Sequence, residues 1–461
     1  MSKIYGFIKI SNISYNFVYE DKVLNLEYDY EKINTNNSLP WTYLEGGNIE
    51  TPNELYFSID NVEYGFEMKS IYFTSFTLKI KVKYYLIIER PYISERLIIS
   101  FINQKFNKWL NLLQNHSVKN NGDEIKDESV IDLASTKKNN IFDYKGYKCD
   151  VKPSVNYILS SFEYNYQTLL CIEIDGKPNY DYLYDLVLKV KDTLSFIFYR
   201  TNVELGKITL MQEVKTNGGK SRCEKFAELI FENYISEKME NSDPIKIFDY
   251  GFIPWEVVYC YFSEILNFIE KGQLYLLNLP ENKKLKKYIS SMSISKDASA
   301  FEFEFSKLYS NYSTEKFSEC NYQNILKKIN SLSFTKGEKE IVDNMTSIYL
   351  CSPSLKEKMI HALNEFDSII NLKKLYDTFF SPSSDYIIKI ATFFTKGRNT
   401  INHGSLSTCI NNDVANTFFI VKILIFAMQL KRIGMDDAEI WESISCVFEI
   451  RDIGNGKFRI S

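Results

Sequence analysis

Metal-binding and polyanion-binding patterns are largely missing from this chain of 461 residues. It has only three histidines, and its eight cysteines are scattered singly, without a C-x-x-C pair or a Cys/His cluster. This distribution excludes the common structural zinc sites and fits a reducing compartment. The formal net charge is -4, so any contact with nucleic acid must come from a local patch.

Export and membrane signals are also missing. Residues 3–10 alternate like a strand, where a secretory signal would have an apolar block. The most apolar helix candidate, residues 418–430, contains Lys422 and Gln429 and is too short to span a bilayer. It is typical of a buried core helix. We therefore expect a soluble, cytoplasmic protein with no membrane partner, and the abundant Asn, Lys and Ile indicate an AT-rich bacterial genome.

The residue composition and the length of the chain indicate an ordered globular protein of more than one domain. Hydrophobic residues make up 45% of the chain and aromatic residues 15%, and the length exceeds what one core usually organises. The predicted fold class is α+β. A β-rich mixed N-terminal domain over residues 1–217 is followed by an all-α helical bundle over residues 218–461.

The first half shows the β-branched and aromatic alternation of strands. Strands are predicted over residues 3–10, 55–60, 62–68, 71–89, 157–162, 169–174 and 207–214. Ile98, Phe101 and Trp109 fall at helical spacing, which predicts a helix over residues 94–114, and a second helix is predicted over 180–199. The polar residues 115–140 predict a long mobile loop.

The second half shows helical periodicity interrupted by turn residues. A turn at residues 216–221 is the best candidate for the domain boundary. Helices are predicted over residues 223–236, 254–271, 298–312, 337–350, 354–370, 384–396 and 413–432.

Three candidate motifs have simpler structural interpretations. The sequence Gly-Gly-Lys-Ser ending at Ser221 resembles a phosphate-binding loop, but Val214 occupies the position of the first glycine, so an interdomain turn is favoured over a nucleotide hydrolase that uses Lys220. His361 is interpreted as a helix-flank residue. Glu302 and Glu304 are two residues apart, which separates them on a helix and favours solvated or pairing roles.

The segment from Arg398 to His403 is the most informative motif, an R-x4-H pattern with Asn399 beside the arginine. A guanidinium can bind a phosphate through two hydrogen bonds, and an imidazole can transfer a proton near neutral pH. Arg398 also extends the apolar stripe of the preceding helix. This position indicates either an anionic partner or an arginine that snorkels at a helix end capped by Gly404.

Helix geometry favours a site made by two chains. Five residues correspond to about 7.5 Å of rise and about 140° of rotation, so Arg398 and His403 of one chain do not face one point. A twofold axis would bring two copies of each around one groove. Gly397 would let backbones approach closely there, or would end the helix early.

This motif resembles the R-x4-6-H signature of HEPN ribonucleases, in which a polar residue such as Asn399 commonly follows the arginine. The β-rich first half and residues 182–210 are similar to the N-terminal domain of ApeA-type bacterial anti-phage proteins. The resemblance implies a HEPN-like C-terminal domain and a dimeric, metal-independent and cofactor-independent endoribonuclease that is held in check until infection. A phage-derived trigger recognised by the N-terminal domain would release it.

The resemblance also implies a role for each residue. His403 would assist attack by the ribose 2′-hydroxyl or protonate the departing 5′-oxygen, and Arg398 would stabilise charge on the phosphoryl oxygens. Asn399 would orient the histidine or the phosphate, while Lys389 and Lys396 are candidates for RNA-backbone contacts. The alternative is a non-catalytic HEPN-like module that binds RNA or a protein.

Overall fold

The computed structural model describes most of the chain in two compact units. Met1–Lys191 and Asn202–Ser242 form the first unit, and Asp192–Thr201 and Asp243–Ser461 form the second. The described residues are 4–10, 13–20, 23–28, 54–59, 62–73, 77–89, 92–102, 109–110, 140–159, 164–203, 205, 207–215, 221–231, 251–312, 319–342, 353–402 and 410–460. The mobile loop predicted over 115–140 lies outside them except for Asn140.

An antiparallel sheet organises the first unit, as the β-rich composition predicts. Its described strands are β1 (Ile4–Ile10), β2 (Ile13–Glu20), β3 (Val23–Tyr28), β4 (Glu54–Ile59), β5 (Val62–Phe73), β6 (Thr77–Ile88), β7 (Arg96–Ile102), β8 (Ile141–Tyr144), β9 (Tyr147–Leu159), β10 (Tyr164–Asp175), β11 (Lys207–Lys215) and β12 (Ser221–Phe231). The order is β1-β2-β3-β6-β12-β11-β7-β10-β9-β8, with β4 on β5 and β5 on β6. β6 pairs with β3 through its first half and with β12 through its second.

The helix predicted over residues 94–114 is wrong where it overlaps β7. This strand lies between β10 and β11, and both of its faces are covered. Ile98 packs with Leu169 and Cys171 on one face, while Ile99 and Phe101, on the other, are fully buried. A strand buried on both faces has no polar alternation, so its apolar residues also match helical spacing.

The helix predicted over residues 223–236 is also wrong, because β12 occupies most of that segment. Lys215 pairs with Ser221, so the boundary predicted at 217 falls between two paired strands and the first unit continues to Ser242. The register between β11 and β12 shifts at Leu210/Met211, where Phe226 is an extra residue. This bulge breaks the period of two and leaves apolar residues at a spacing that imitates a helix.

The predicted helix over residues 180–199 is confirmed as α1, Tyr180–Ile197. The hydroxyl of Tyr182 on its first turn donates to the carbonyl of Tyr144 at 3.1 Å, and the Tyr144 hydroxyl bonds to Asp185 at 2.5 Å. These bonds fix the first half of α1 against the β8–β9 hairpin. The last residues of α1 belong to the second compact unit.

Helices form most of the second unit. After the short helix Trp255–Val258, the longer ones are α2 (Phe262–Glu270), α3 (Ser291–Leu308), α4 (Glu319–Asn330), α5 (Leu355–Phe366), α6 (Leu372–Phe379), α7 (Tyr386–Asn402), α8 (Asn412–Ile433) and α9 (Asp437–Val447). Capping boxes begin α3 at Ser290, α5 at Ser354 and α9 at Asp436, where a side chain accepts a hydrogen bond from an otherwise unpaired backbone N–H.

α8 is the central helix of this unit, as predicted for residues 418–430. It packs against α2, α3, α5, α6, α7 and α9. The helix has 22 residues, so the expectation that it is too short to span a bilayer is wrong, but 78% of its most apolar window is buried. Phe418 contacts Phe394 of α7, with ring centroids 5.3 Å apart, and Phe394 contacts Phe301 of α3 at 5.4 Å.

The second unit is not all-α, which corrects the prediction. After α9 the chain forms a hairpin of β13 (Ile450–Asp452) and β14 (Phe458–Ile460). Its turn contains Gly454, Asn455 and Gly456, all with positive φ angles between 53° and 77°. Glycine and asparagine adopt such angles at low cost, so the Gly-Asn-Gly sequence was a usable hairpin signal.

Among the described residues of the helical unit, two ion pairs are buried. The Nζ of Lys422 lies 4.0 Å from Asp297 Oδ2, with the two side chains 2% and 0% exposed. Glu304 pairs with Arg432 and also accepts bonds from the Tyr275 N–H at 3.0 Å and the Gln429 side chain at 3.1 Å. The pairing role predicted for Glu304 is confirmed.

Candidate functional site at the end of helix α7

Helix α7 carries the arginine and the asparagine of the R-x4-H motif. Helical hydrogen bonding begins where the Lys389 N–H donates to the Asp385 carbonyl at 3.0 Å, close to the predicted start. The helix then runs to Asn402. Gly397 therefore does not end the helix, and Arg398 and Asn399 lie in its last turns.

Gly397 brings α7 close to α8. A β-carbon built on Gly397 would lie 2.9 Å from Val414 Cγ1 and 2.9 Å from Phe418 Cε2. Such separations are well inside van der Waals contact, so only glycine fits without a shift. The close approach that the sequence suggested for Gly397 occurs within one chain, between two consecutive helices.

The side chains of Arg398 and Asn399 contact each other directly. Arg398 is half-buried, beside the stripe that buries Ala391 and Phe394, and Asn399 is exposed. The guanidinium Nη1 donates a long hydrogen bond of 3.4 Å to Asn399 Oδ1. The two side chains thus present a cationic donor group and an amide next to each other, a combination that suits binding of a phosphate oxygen.

Lys389 and Lys396 lie on another side of α7. Both are exposed. At about 100° per residue, Arg398 is rotated by about 180° from Lys389 and by about 200° from Lys396. The two lysines therefore share one stripe that does not converge with Arg398 of the same chain, so contacts of both groups with one RNA would need a strand that wraps the helix or a second chain.

His403 lies outside the described residues. It follows directly on Asn402, the last residue of α7, and precedes α8, whose N-terminus is capped by Asn411 through a 2.9 Å bond from the Val414 N–H to Oδ1. Lys220 of the alternative nucleotide motif also lies outside the described residues.

His361 on α5 is a packed residue of the helix flank, in agreement with its interpretation from the sequence. Its ring stacks on Tyr312 with centroids 4.3 Å apart and meets Tyr309 edge-on at 4.7 Å. Its Nε2 is 3.9 Å from Glu365 Oε2. Aromatic packing and one weak ion pair explain the position of the His361 side chain. His361 therefore provides a matched histidine control for His403.

Sequence reasoning missed a lysine-lined cavity of about 250 Å³ in the second unit. Its lining residues are Lys283, Lys284, Lys286, Lys287, Phe419, Val447, Phe448 and Glu449. Burial lowers the pKa of the Lys287 ammonium group, and neighbouring Lys283 lowers it further, against the opposing effect of Glu449. The run Lys-Lys-Leu-Lys-Lys at 283–287 was the available signal, and none of the R-x4-H residues lines this cavity.

In the parts of the chain that the structure describes, no group of three or more His, Cys, Asp or Glu side chains is arranged to hold a metal ion. No protein-family model, no curated protein and no solved structure matches this chain.

Proposed function

We propose that this chain is a HEPN-type endoribonuclease of a bacterial abortive-infection system, which cleaves RNA without a metal at a site shared by two copies. The observation that carries the proposal is the contact between Arg398 and Asn399 on the last turns of α7, with His403 immediately beyond. The helical second unit is consistent with this assignment. The first unit would recognise a phage-derived trigger.

The chemistry follows from the groups available. His403 takes the proton of the ribose 2′-hydroxyl or delivers a proton to the 5′-oxygen, while a bond forms between the 2′-oxygen and phosphorus and the bond from phosphorus to the 5′-oxygen breaks. Arg398 stabilises the negative charge that accumulates on the phosphoryl oxygens. Asn399 holds the guanidinium or the phosphate in position. The products are a 2′,3′-cyclic phosphate and a 5′-hydroxyl end.

The test compares histidine variants for cleavage of labelled single-stranded RNA and for growth arrest of expressing cells during phage infection. Removing a proton-transfer group costs about 10²–10⁴-fold in rate, so His403→Ala should abolish both effects. His361→Ala, the matched control, should retain them. A substrate with a 2′-deoxyribose at the cleaved position should be resistant, because the attacking hydroxyl is missing.

The result also separates the enzyme from a binding module. If His403→Ala cleaves RNA as fast as the unaltered chain, the assignment of the site is wrong. If the unaltered chain binds RNA, leaves it intact in infected cells and still arrests growth, the non-catalytic HEPN-like module is the better description.

A further inference from the structure

Residues 319–342 form a helical arm that differs from the rest of the second unit. The arm consists of α4 (Glu319–Asn330), a short connection, and the helical residues 336–342, which form the second arm helix. In the part of the chain that the structure describes, α4 is not among the helices that pack against the central helix α8. No residue from Leu326 to Val342 is buried. These residues of the arm therefore add nothing to the core of the unit.

Local hydrogen bonds hold the connection between the two arm helices. The N–H of Ser331 donates to the Lys327 carbonyl at 3.0 Å and closes the last turn of α4. The N–H of Thr335 donates to Glu338 Oε2 at 2.9 Å, and the Glu338 N–H donates to Thr335 Oγ1 at 3.4 Å. This capping box begins the second arm helix. The arm is therefore a formed pair of helices rather than an irregular loop.

The arm exposes apolar side chains of the kind that helices normally bury. Leu332 and Ile341 are each 60% exposed, and Leu326, Ile329 and Phe334 are half-buried. A helix of about 12 residues is only marginally stable in water unless one of its faces is packed. α5, which has the same length as α4, buries four of its residues in the unit. The arm therefore needs a further surface to cover its apolar side chains.

Both signs of charge occur on the exposed surface of the arm. Lys327 and Lys328 lie on α4, while Glu340 lies on the second arm helix together with Lys336 and Lys339. In the described part of the chain, no ion pair involves Lys327, Lys328 or Glu340. This mixed surface differs from the uniformly basic faces that bind nucleic acid or anionic lipid. A twofold axis would instead place the α4 lysines of one arm beside Glu340 of another.

We infer that the helical arm binds the arm of a second copy of this chain, with α4 of each copy packed against the second arm helix of the other. Two helices from each copy then form a four-helix bundle whose apolar side chains face inward. The arm is about as long as the roughly 20–30 residues that each side contributes to a standard protein interface. The inference rests on the proposed function, which requires two copies, and it identifies the surface that joins them.

Analytical ultracentrifugation of the full chain tests the arm at its two most exposed apolar positions. The unaltered chain should dimerise with a Kd of about 1 µM or tighter. L332E/I341E should weaken dimerisation by at least about tenfold, because the dimer would have to bury carboxylates. The matched control L277E/I453E introduces the same charges at positions of the same unit that are 69% and 58% exposed, and it should dimerise like the unaltered chain. If circular dichroism shows that L332E/I341E does not fold, L332S/I341S replaces it.

Charge reversal tests how the two arms are arranged. K327E/K328E sets acidic side chains against Glu340 of the second copy, and E340K sets a lysine against the α4 lysines, so each variant alone should dimerise about fivefold more weakly. An equal mixture of the two variants should recover the affinity of the unaltered chain, because each contact in the mixed dimer again joins opposite charges. Absence of this recovery would overturn the inferred arrangement.

The results also separate the arm from the proposed ribonuclease. An unaltered chain that stays monomeric at about 10 µM, including a monomer that binds anionic vesicles, would overturn the inference. So would a folded L332E/I341E variant that dimerises as tightly as the unaltered chain, and if this variant also cleaves RNA, the proposed ribonuclease stands. Dimerisation through the arm by a chain that never cleaves RNA would support the inference and contradict only the ribonuclease.

Discussion

Gly397 and Phe418 lie against each other without room for a methyl group, because a β-carbon at Gly397 would be 2.9 Å from the Phe418 ring. This contact fixes the spacing between α7 and α8 one residue before Arg398. The R-x4-H motif therefore begins directly after a close contact between the two helices. The position of the arginine depends on a residue that has no side chain.

Gly397→Ala should destabilise the helical unit. Overpacking costs about 1–3 kcal/mol, which should exceed the gain of about 1 kcal/mol from the higher helix propensity of alanine. Gly337→Ala is the matched control, since Gly337 is also helical and a β-carbon there meets nothing within 4 Å. Thermal unfolding should show a lower midpoint for the first variant and an equal or higher midpoint for the second. Equal midpoints for Gly397→Ala and the unaltered chain would contradict the close contact.

The buried pair of Asp297 and Lys422 should show strong coupling in a double-mutant cycle. Above pH 7, where Asp297 is ionised, Lys422→Met leaves a buried carboxylate without its cation, and Asp297→Asn leaves a buried ammonium without its anion, so each should cost about 3–5 kcal/mol. The double variant removes both charges and should cost clearly less than the sum of the two. Additive losses in the free energy of unfolding would show that the pair does not interact.

The same pair predicts a pH dependence. Burial raises the pKa of Asp297 from 3.8 to about 7, although Lys422 opposes the shift. Between these two values the folded protein holds a proton that the unfolded chain releases, so the contribution of Asp297 to stability falls as pH rises through this window. The unaltered chain should lose more stability than Asp297→Asn between pH 4 and pH 7. Denaturant unfolding at several pH values measures this, and parallel curves would contradict it.

Glu304 and Glu302 should differ sharply although they lie on the same helix. Glu304 is fully buried, and its loss removes the anionic partner of Arg432 and an acceptor of the Gln429 amide and the Tyr275 N–H. Glu304→Ala should therefore destabilise the unit by about 3–5 kcal/mol, while Glu302→Ala, at a partly exposed position, should change it by less than about 0.5 kcal/mol. Chemical denaturation distinguishes the two outcomes.

A site shared between two copies should be restored by mixing inactive chains. Arg398→Ala and His403→Ala should each be inactive alone. After denaturation and joint refolding, random pairing makes about half of the dimers mixed, and each mixed dimer retains one arginine and one histidine from different chains. Partial recovery of RNA cleavage would support the shared site. Assembly of each variant, measured by light scattering, is the control, and no recovery from well-formed mixed dimers would indicate a site within one chain.

The sequence predicted elements best where one side of the element is polar. α1 and β11 were predicted within two residues of their bounds. Prediction failed for β7, which is buried on both faces, and for β12, whose bulge at Phe226 breaks the alternation. In these strands tertiary burial, which a local pattern does not contain, decides the secondary structure.

The candidate site could be predicted in part. The motif places Arg398 and Asn399 as neighbours at a helix end, and the structure describes them there. That Lys389 and Lys396 lie on another side of α7 follows from helix periodicity and could have been deduced. The lysine-lined cavity could not have been predicted, because Glu449 and Lys283 are far apart in sequence and meet only through tertiary packing.

The division of α1 between the two units affects how the chain can be dissected. Phe196 and Tyr199 contact Phe426 at 5.2 Å and 5.1 Å, and Tyr199 also contacts Phe448 at 4.9 Å. A fragment starting at Asp243 would contain α2 to α9 but would lose these aromatic rings from its own core. A helical half expressed alone therefore needs the segment Asp192–Thr201, grafted through a linker or supplied as a separate peptide, to complete its core.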